Sequence, residues 1–204
     1  MASIYDLKPR FQDLLRPATR RMAAAGVTAN QVTVAAAALS VALGMVIAAW
    51  SDRRWPLLLL PVALFARMAL NAVDGLLARE HGMKTRLGAV LNELGDVVSD
   101  SALYLPIALV PGVPATLVVV LVVLAVIIEM TGVVAVQIGA SRRYDGPLGK
   151  SDRAFAFGAL GLLLGCGVRP GVWLTAALSL MIALAAWTVV NRTRRALQDR
   201  EVAS

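Results

Sequence analysis

The chain has 204 residues, 58% of them hydrophobic and only 16% charged, with a mean hydropathy of +0.71. Soluble domains carry about 25% charged residues, so this deficit, with its long uncharged runs, excludes an ordinary soluble protein and indicates a polytopic membrane protein. The single cysteine, Cys166, excludes an intrachain disulfide framework, and the net charge of +7 lies at the ends of apolar runs, as topology and headgroup signals do, so no nucleic-acid partner is expected.

Residues 3–25 read as an amphipathic interfacial helix. Ile4, Leu7, Phe11, Leu14 and Leu15 recur at helical spacing, and Lys8, Arg10, Arg16, Arg20 and Arg21 supply the polar face. Pro9 and Pro17 are points at which it would break, and an irregular basic tail is the alternative. This polar start does not resemble a cleavable signal peptide.

Six spans are expected next, at about 28–50, 56–79, 87–110, 115–140, 154–168 and 172–191. Thr28 can cap the first. The fifth is short by this count and is expected to begin within the preceding polar loop. The fold class is therefore all-α integral membrane, six transmembrane helices behind an interfacial helix, in one domain over 1–204. An even number of spans puts both termini on one side. The arm, the 79–86 loop, the 141–153 loop and the tail hold 16 of the 20 Lys and Arg, which places them in the cytoplasm, most simply at a bacterial inner membrane.

The second and third spans carry the unusual residues. Arg67, Asn71, Asp74, Gly75 and Ala78 fall on one stripe of the second at about 100° per residue. Gly88, Asn92, Glu93, Asp96 and Asp100 fall on a stripe of the third. At 1.5 Å per residue, Asp74, Asn92 and Asp96 lie roughly 8, 9 and 15 Å from the cytoplasmic end. Facing stripes of carboxylate and amide oxygen suit hard cations such as Mg2+ or Mn2+, which commonly bridge carboxylates to phosphates. An ion path or polar helix packing fits the same stripes. Glu129, inside the fourth span, is a candidate partner for Arg67. His81 reads as a solvated loop residue.

Asp74-Gly75-Leu76-Leu77-Ala78-Arg79, then eight residues, then Gly88, resembles the signature of the CDP-alcohol phosphotransferase (class-I CDP-alcohol phosphatidyltransferase) family, D-x2-D-G-x2-A-R-x8-G-x3-D-x3-D. Asp74, Gly75, Ala78, Arg79, Gly88 and Asp96 match in register, and Asn71 and Asn92 stand where the first and third aspartates belong. The resemblance implies a transferase of phospholipid biosynthesis. An alcohol hydroxyl attacks the β-phosphorus of a CDP-linked donor, usually CDP-diacylglycerol, and CMP leaves. It implies Asp96 as general base, and Gly75, Ala78, Arg79 and Gly88 around the CDP moiety. Asn71, Asp74, Asn92 and Asp96 are implied around one or two Mg2+ or Mn2+ ions, and a homodimer is implied as the assembly. Glu93 and Asp100, on or beside the same face, are candidates to compensate the charge lost at the two asparagines. Lys150 and Arg153 are candidate phosphate or acceptor contacts. The acceptor alcohol is left open. The alternatives are a weakened member that binds nucleotide and metal, and a transporter using the acidic stripe.

Overall fold

A computed structural model describes residues 4–201 as seven α-helices, with no strand among them. Helix α1 (Ile4–Ala24) runs unbroken through both prolines. Pro17 lies on its exposed face, where water can take up the forfeited hydrogen bond. Residue 3 lies outside the described residues, as do the side chains of Lys8 and Arg10. Leu15, Met22 and Ala23 pack against a buried cluster of Ala29, Val32 and, from α3 (Trp55–Glu80), Val73 and Leu77, and Phe11 meets Phe65 edge-on at 6.0 Å. Arg16 reaches Glu80, at the end of α3, at 3.1 Å.

Helix α2 (Ala29–Ala49) opens with a reciprocal cap. The Thr28 hydroxyl accepts from the Gln31 amide at 3.3 Å, and the Gln31 side chain accepts from the Thr28 amide at 2.9 Å. Helix α4 (Arg86–Tyr104) starts on a Thr85 cap and stops six residues short of the expected end. Pro106 has no N–H to give the Ala102 carbonyl, so the chain tightens into a 3-10 turn over Leu105–Leu109. That carbonyl faces Gly44 of α2, where a side chain would collide with it, so α2 and α4 approach closely.

Helix α5 (Ala115–Gln137) ends before Gly139, whose φ of +86° a side chain rarely adopts. Helix α6 begins inside the polar loop, at Lys150, and ends at Gly165. Helix α7 runs from Val172 to Glu201, well past the expected 191, so the basic tail is a helical extension.

Helix α2 packs on α3 and α4, α3 on α6, and α5 on α7. Leu43, Leu57, Leu60, Leu103, Leu121 and Leu178 are among the core they share, where Tyr104 stacks on Phe157 at 3.9 Å. The outer surface is apolar as well, with Val62, Phe65, Met130 and Leu180 more than half exposed. A protein apolar both inside and out belongs in lipid. Helices α2, α3, α5 and α7 are long and apolar enough to cross a membrane. Helix α4 holds three carboxylates and α6 has only 16 residues.

Candidate active site

Polar residues of the α3 and α4 stripes meet: Arg67 and Asn71 of α3 both reach Asp96 of α4. Two clefts open along them. The first, about 380 Å³, is lined by Asp74, Gly75, Ala78 and Arg79 of α3, Gly88 and Asn92 of α4, and Asn30 and Thr33 of α2. Asp74 is buried and accepts from the Thr33 hydroxyl at 2.8 Å. At both glycines a side chain would crowd neighbouring side chains, more tightly at Gly88. A Cβ at Gly88 would lie 2.6 Å from Asn30 Oδ1 and 3.0 Å from Thr85 Oγ1, and one at Gly75 would lie 3.0 Å from the Arg79 guanidinium.

The second cleft, about 340 Å³, is lined by Asn92, Glu93 and Asp96 of α4, Glu129 of α5, Arg142 and Tyr144 of the following loop, Lys150 at the start of α6, and Arg192 of α7. Asn92 borders both clefts. Asp96 is held by one oxygen only. Its Oδ1 accepts from Lys150 Nζ in a close ion pair, from Arg67 Nη2 at 3.3 Å and from Asn71 Nδ2 at 3.4 Å. No described residue donates to its Oδ2 within hydrogen-bonding distance.

Beneath the clefts runs a buried chain of alternating charge. Arg67 bonds Asp100 through Nη1, and through Nη2 the Asp96 carbonyl at 3.1 Å. Asp100 Oδ2 accepts from Arg153 Nη2 at 2.9 Å, and the same nitrogen reaches Glu129 Oε1 at 2.8 Å. Glu129 Oε2 faces Arg142 at 3.4 Å and Arg192 at 3.8 Å.

This network gives four of the predicted residues their partners. Arg67 pairs with Asp96 and Asp100 rather than Glu129, because both carboxylates lie on the facing helix. Asp100 has both oxygens taken by arginines, so it is not placed to replace a metal ligand. Glu93 is drawn to Arg142, at 2.7 Å. Arg153 is 0% exposed and donates to Asp100, Glu129 and the Leu148 carbonyl, so its guanidinium is turned into the buried network. Lys150, in contrast, stays at the site.

Sequence reasoning missed Thr33, Asn30, Arg142, Tyr144 and Arg192. Thr33 and Asn30 lie in the first turn of α2. Arg192 looked like tail charge, although it is 1% exposed and donates to the Ile128 and Asp145 carbonyls at 2.7 and 3.1 Å. Its one visible signal was position, directly after an uncharged run.

The fold and this site define an all-helical membrane protein with a two-cleft polar centre between helices. A family profile described as CDP-alcohol phosphatidyltransferase matches residues 26–191, and the chain belongs to that family. Its members are enzymes that use divalent Mg2+ or Mn2+. The activity class is phosphatidyl transfer from a CDP-alcohol in phospholipid synthesis. The inner membrane protein YnbA of Escherichia coli is 45% identical over 197 residues, 96% of each chain. Phosphatidylinositol phosphate synthase of Corynebacterium glutamicum is 32% identical over 104 residues, 51% of this chain and 45% of that one. The same fold occurs in the phosphatidylinositol phosphate synthase of Mycobacterium tuberculosis, at 21% identity and a TM-score of 0.75. One of its structures, with CDP-DAG bound, covers 88% of this chain and 92% of its own; another, with manganese and citrate, covers 89% and 88%.

The donor set suits such a cation. Among the described residues no three His, Cys, Asp or Glu side chains converge as a ready-made metal cage. Magnesium does not require one, since it is usually held by one or two carboxylates together with substrate phosphates. Asp74 and Asp96 supply two carboxylates, and Asn71 and Asn92 supply amide oxygens of the same hard character.

Proposed function

We propose that this chain transfers the phosphatidyl group of CDP-diacylglycerol to the hydroxyl of a polar alcohol, with release of CMP, at the cytoplasmic face of a membrane crossed by α2 to α7. The observation that carries this reading is the meeting of two clefts at Asn92, one beside Asp74 and the other beside Asp96. Two substrates held in adjoining clefts place a donor phosphate and an acceptor hydroxyl together, which is most of what a displacement at phosphorus requires. The first cleft takes the CDP moiety, with Gly75, Ala78 and Gly88 leaving room and Arg79 beside the phosphates.

A divalent cation, or a pair, would be held by Asp74, Asp96 and the amide oxygens of Asn71 and Asn92, and when bound it neutralises phosphate charge. Asp96 accepts the hydroxyl proton on Oδ2, the oxygen without a donor. The acceptor oxygen then bonds to the β-phosphorus as the bond to the CMP oxygen breaks. Lys150 and Arg142 suit an acceptor that carries an anionic group; Arg142 Nε and Nη1 are buried without a partner.

Six spans agree with the pairing of Asp96 and Asp100 to Arg67, which offsets the cost of carboxylates in α4 at membrane depth. The basic termini set the orientation, and the family resemblance favours a homodimer. Mass spectrometry of lipids from cells lacking or overproducing the protein tests the reading. A phospholipid that disappears in one strain and accumulates in the other supports it and identifies the acceptor; identical lipid profiles in both oppose it.

A further inference from the structure

We infer that Arg67 and Asp100 are positioning residues for the transfer: Asp100 holds one arm of the Arg67 guanidinium so that the other arm fixes Asp96 through Oδ1, leaving Oδ2 to receive the acceptor proton. The inference rests on the proposed role of Asp96.

Three groups hold Asp96 Oδ1, and they differ in kind. Lys150 has a third of its side chain exposed and lines the acceptor cleft, so it is free to turn toward a substrate. Asn71 makes a long contact of 3.4 Å. Arg67 is 3% exposed and binds α4 at two levels one helical turn apart, at Asp100 through Nη1 and at the Asp96 side chain and carbonyl through Nη2. A planar fork can span two such acceptors at once; an ammonium on a flexible stem cannot fix them in the same plane.

Asp100 is braced in turn. Arg153 takes its other oxygen at 2.9 Å and is itself held by Glu129 at 2.8 Å and the Leu148 carbonyl at 3.3 Å. Packing alone does not explain the arrangement, because apolar residues of similar volume commonly serve a buried site as well or better than ion pairs. What the ions add is direction. The Arg67 fork is the direct link from Asp100 to Asp96, and a base fixed in advance wastes no motion when the hydroxyl arrives.

The test uses the full-length protein in lipid vesicles, with CDP-dioleoylglycerol, Mn2+ and an alcohol probe: glycerol phosphate, inositol phosphate or serine, whichever the unmodified protein turns over fastest. Arg67→Lys keeps the buried charge and removes the fork. The double replacement Arg67→Met with Asp100→Leu removes both charges together. In either variant kcat is expected to fall about tenfold or more, while CDP affinity stays within about twofold, the difference that separates a positioning role from a general distortion. Unchanged kcat in a folded variant overturns the inference. So does a loss of CDP affinity that matches the loss of kcat, and so does failure of both variants to fold, which would make the pair structural. Absence of turnover by the unmodified protein with every probe counts instead against the proposed function.

Discussion

Replacing Arg153 with methionine removes the cation at the middle of the buried network. Asp100 Oδ2 then loses its partner at 2.9 Å and Glu129 Oε1 its partner at 2.8 Å. Methionine fills much of the volume, so the change is mainly electrostatic. Asp100 keeps Arg67, and Glu129 keeps Arg142 and Arg192 at longer range, so the loss is that of one partner from a buried pair, ~3–5 kcal/mol. Domains are stable by about 5–15 kcal/mol, so this is a large share. At about 2–4 °C per kcal/mol for a chain of this size, Tm falls by on the order of 6–20 °C. Differential scanning fluorimetry of the purified protein in detergent measures it. A fall of less than about 2 °C, within one kcal/mol on that scale, would mean that the pair is hydrated and that the network bears no strain when broken.

Two further outcomes follow from the geometry. Thr33→Val removes the 2.8 Å hydrogen bond to Asp74 with little change of shape; a bond to a charged group contributes about 1.5–3 kcal/mol, so kcat/KM for the donor should drop by roughly tenfold or more, and an unchanged value would detach Thr33 from the site. Arg16→Ala breaks the pair to Glu80, whose partners are 38% and 39% exposed; solvent screening leaves such pairs a stabilisation of about 0–1 kcal/mol, so the melting temperature should barely move, and a large fall would show that α1 is anchored to α3 mainly through this contact.

How much of this was legible in the sequence depended on the range of the contacts. The α3 and α4 stripes were readable because helical periodicity and a fixed-spacing motif are local properties. The Thr28 cap was readable for the same reason. The partners of Arg67, Glu129 and Arg153 were not, because each is decided by how distant helices rotate against one another. Arg153 read as a candidate phosphate or acceptor contact and Arg192 as tail charge, yet their carboxylate and carbonyl partners lie from 5 to 64 residues away in the chain. Helix ends were misjudged where one residue outweighed the apolar run around it: Pro106 stopped α4 early, and α7 continued because Arg192 and Arg195 find partners in the loop before α6.

The central claim, that Asp96 draws the proton from an alcohol that displaces CMP, is tested most directly by CMP release. Purified protein is given CDP-diacylglycerol, Mg2+ or Mn2+ and an acceptor alcohol, with and without a chelator, beside the Asp96→Asn variant. The account predicts acceptor-dependent CMP release by the unmodified protein, lost on chelation and lost in Asp96→Asn, whose isosteric amide can keep a contact but cannot take the proton. Full CMP release by Asp96→Asn would contradict it.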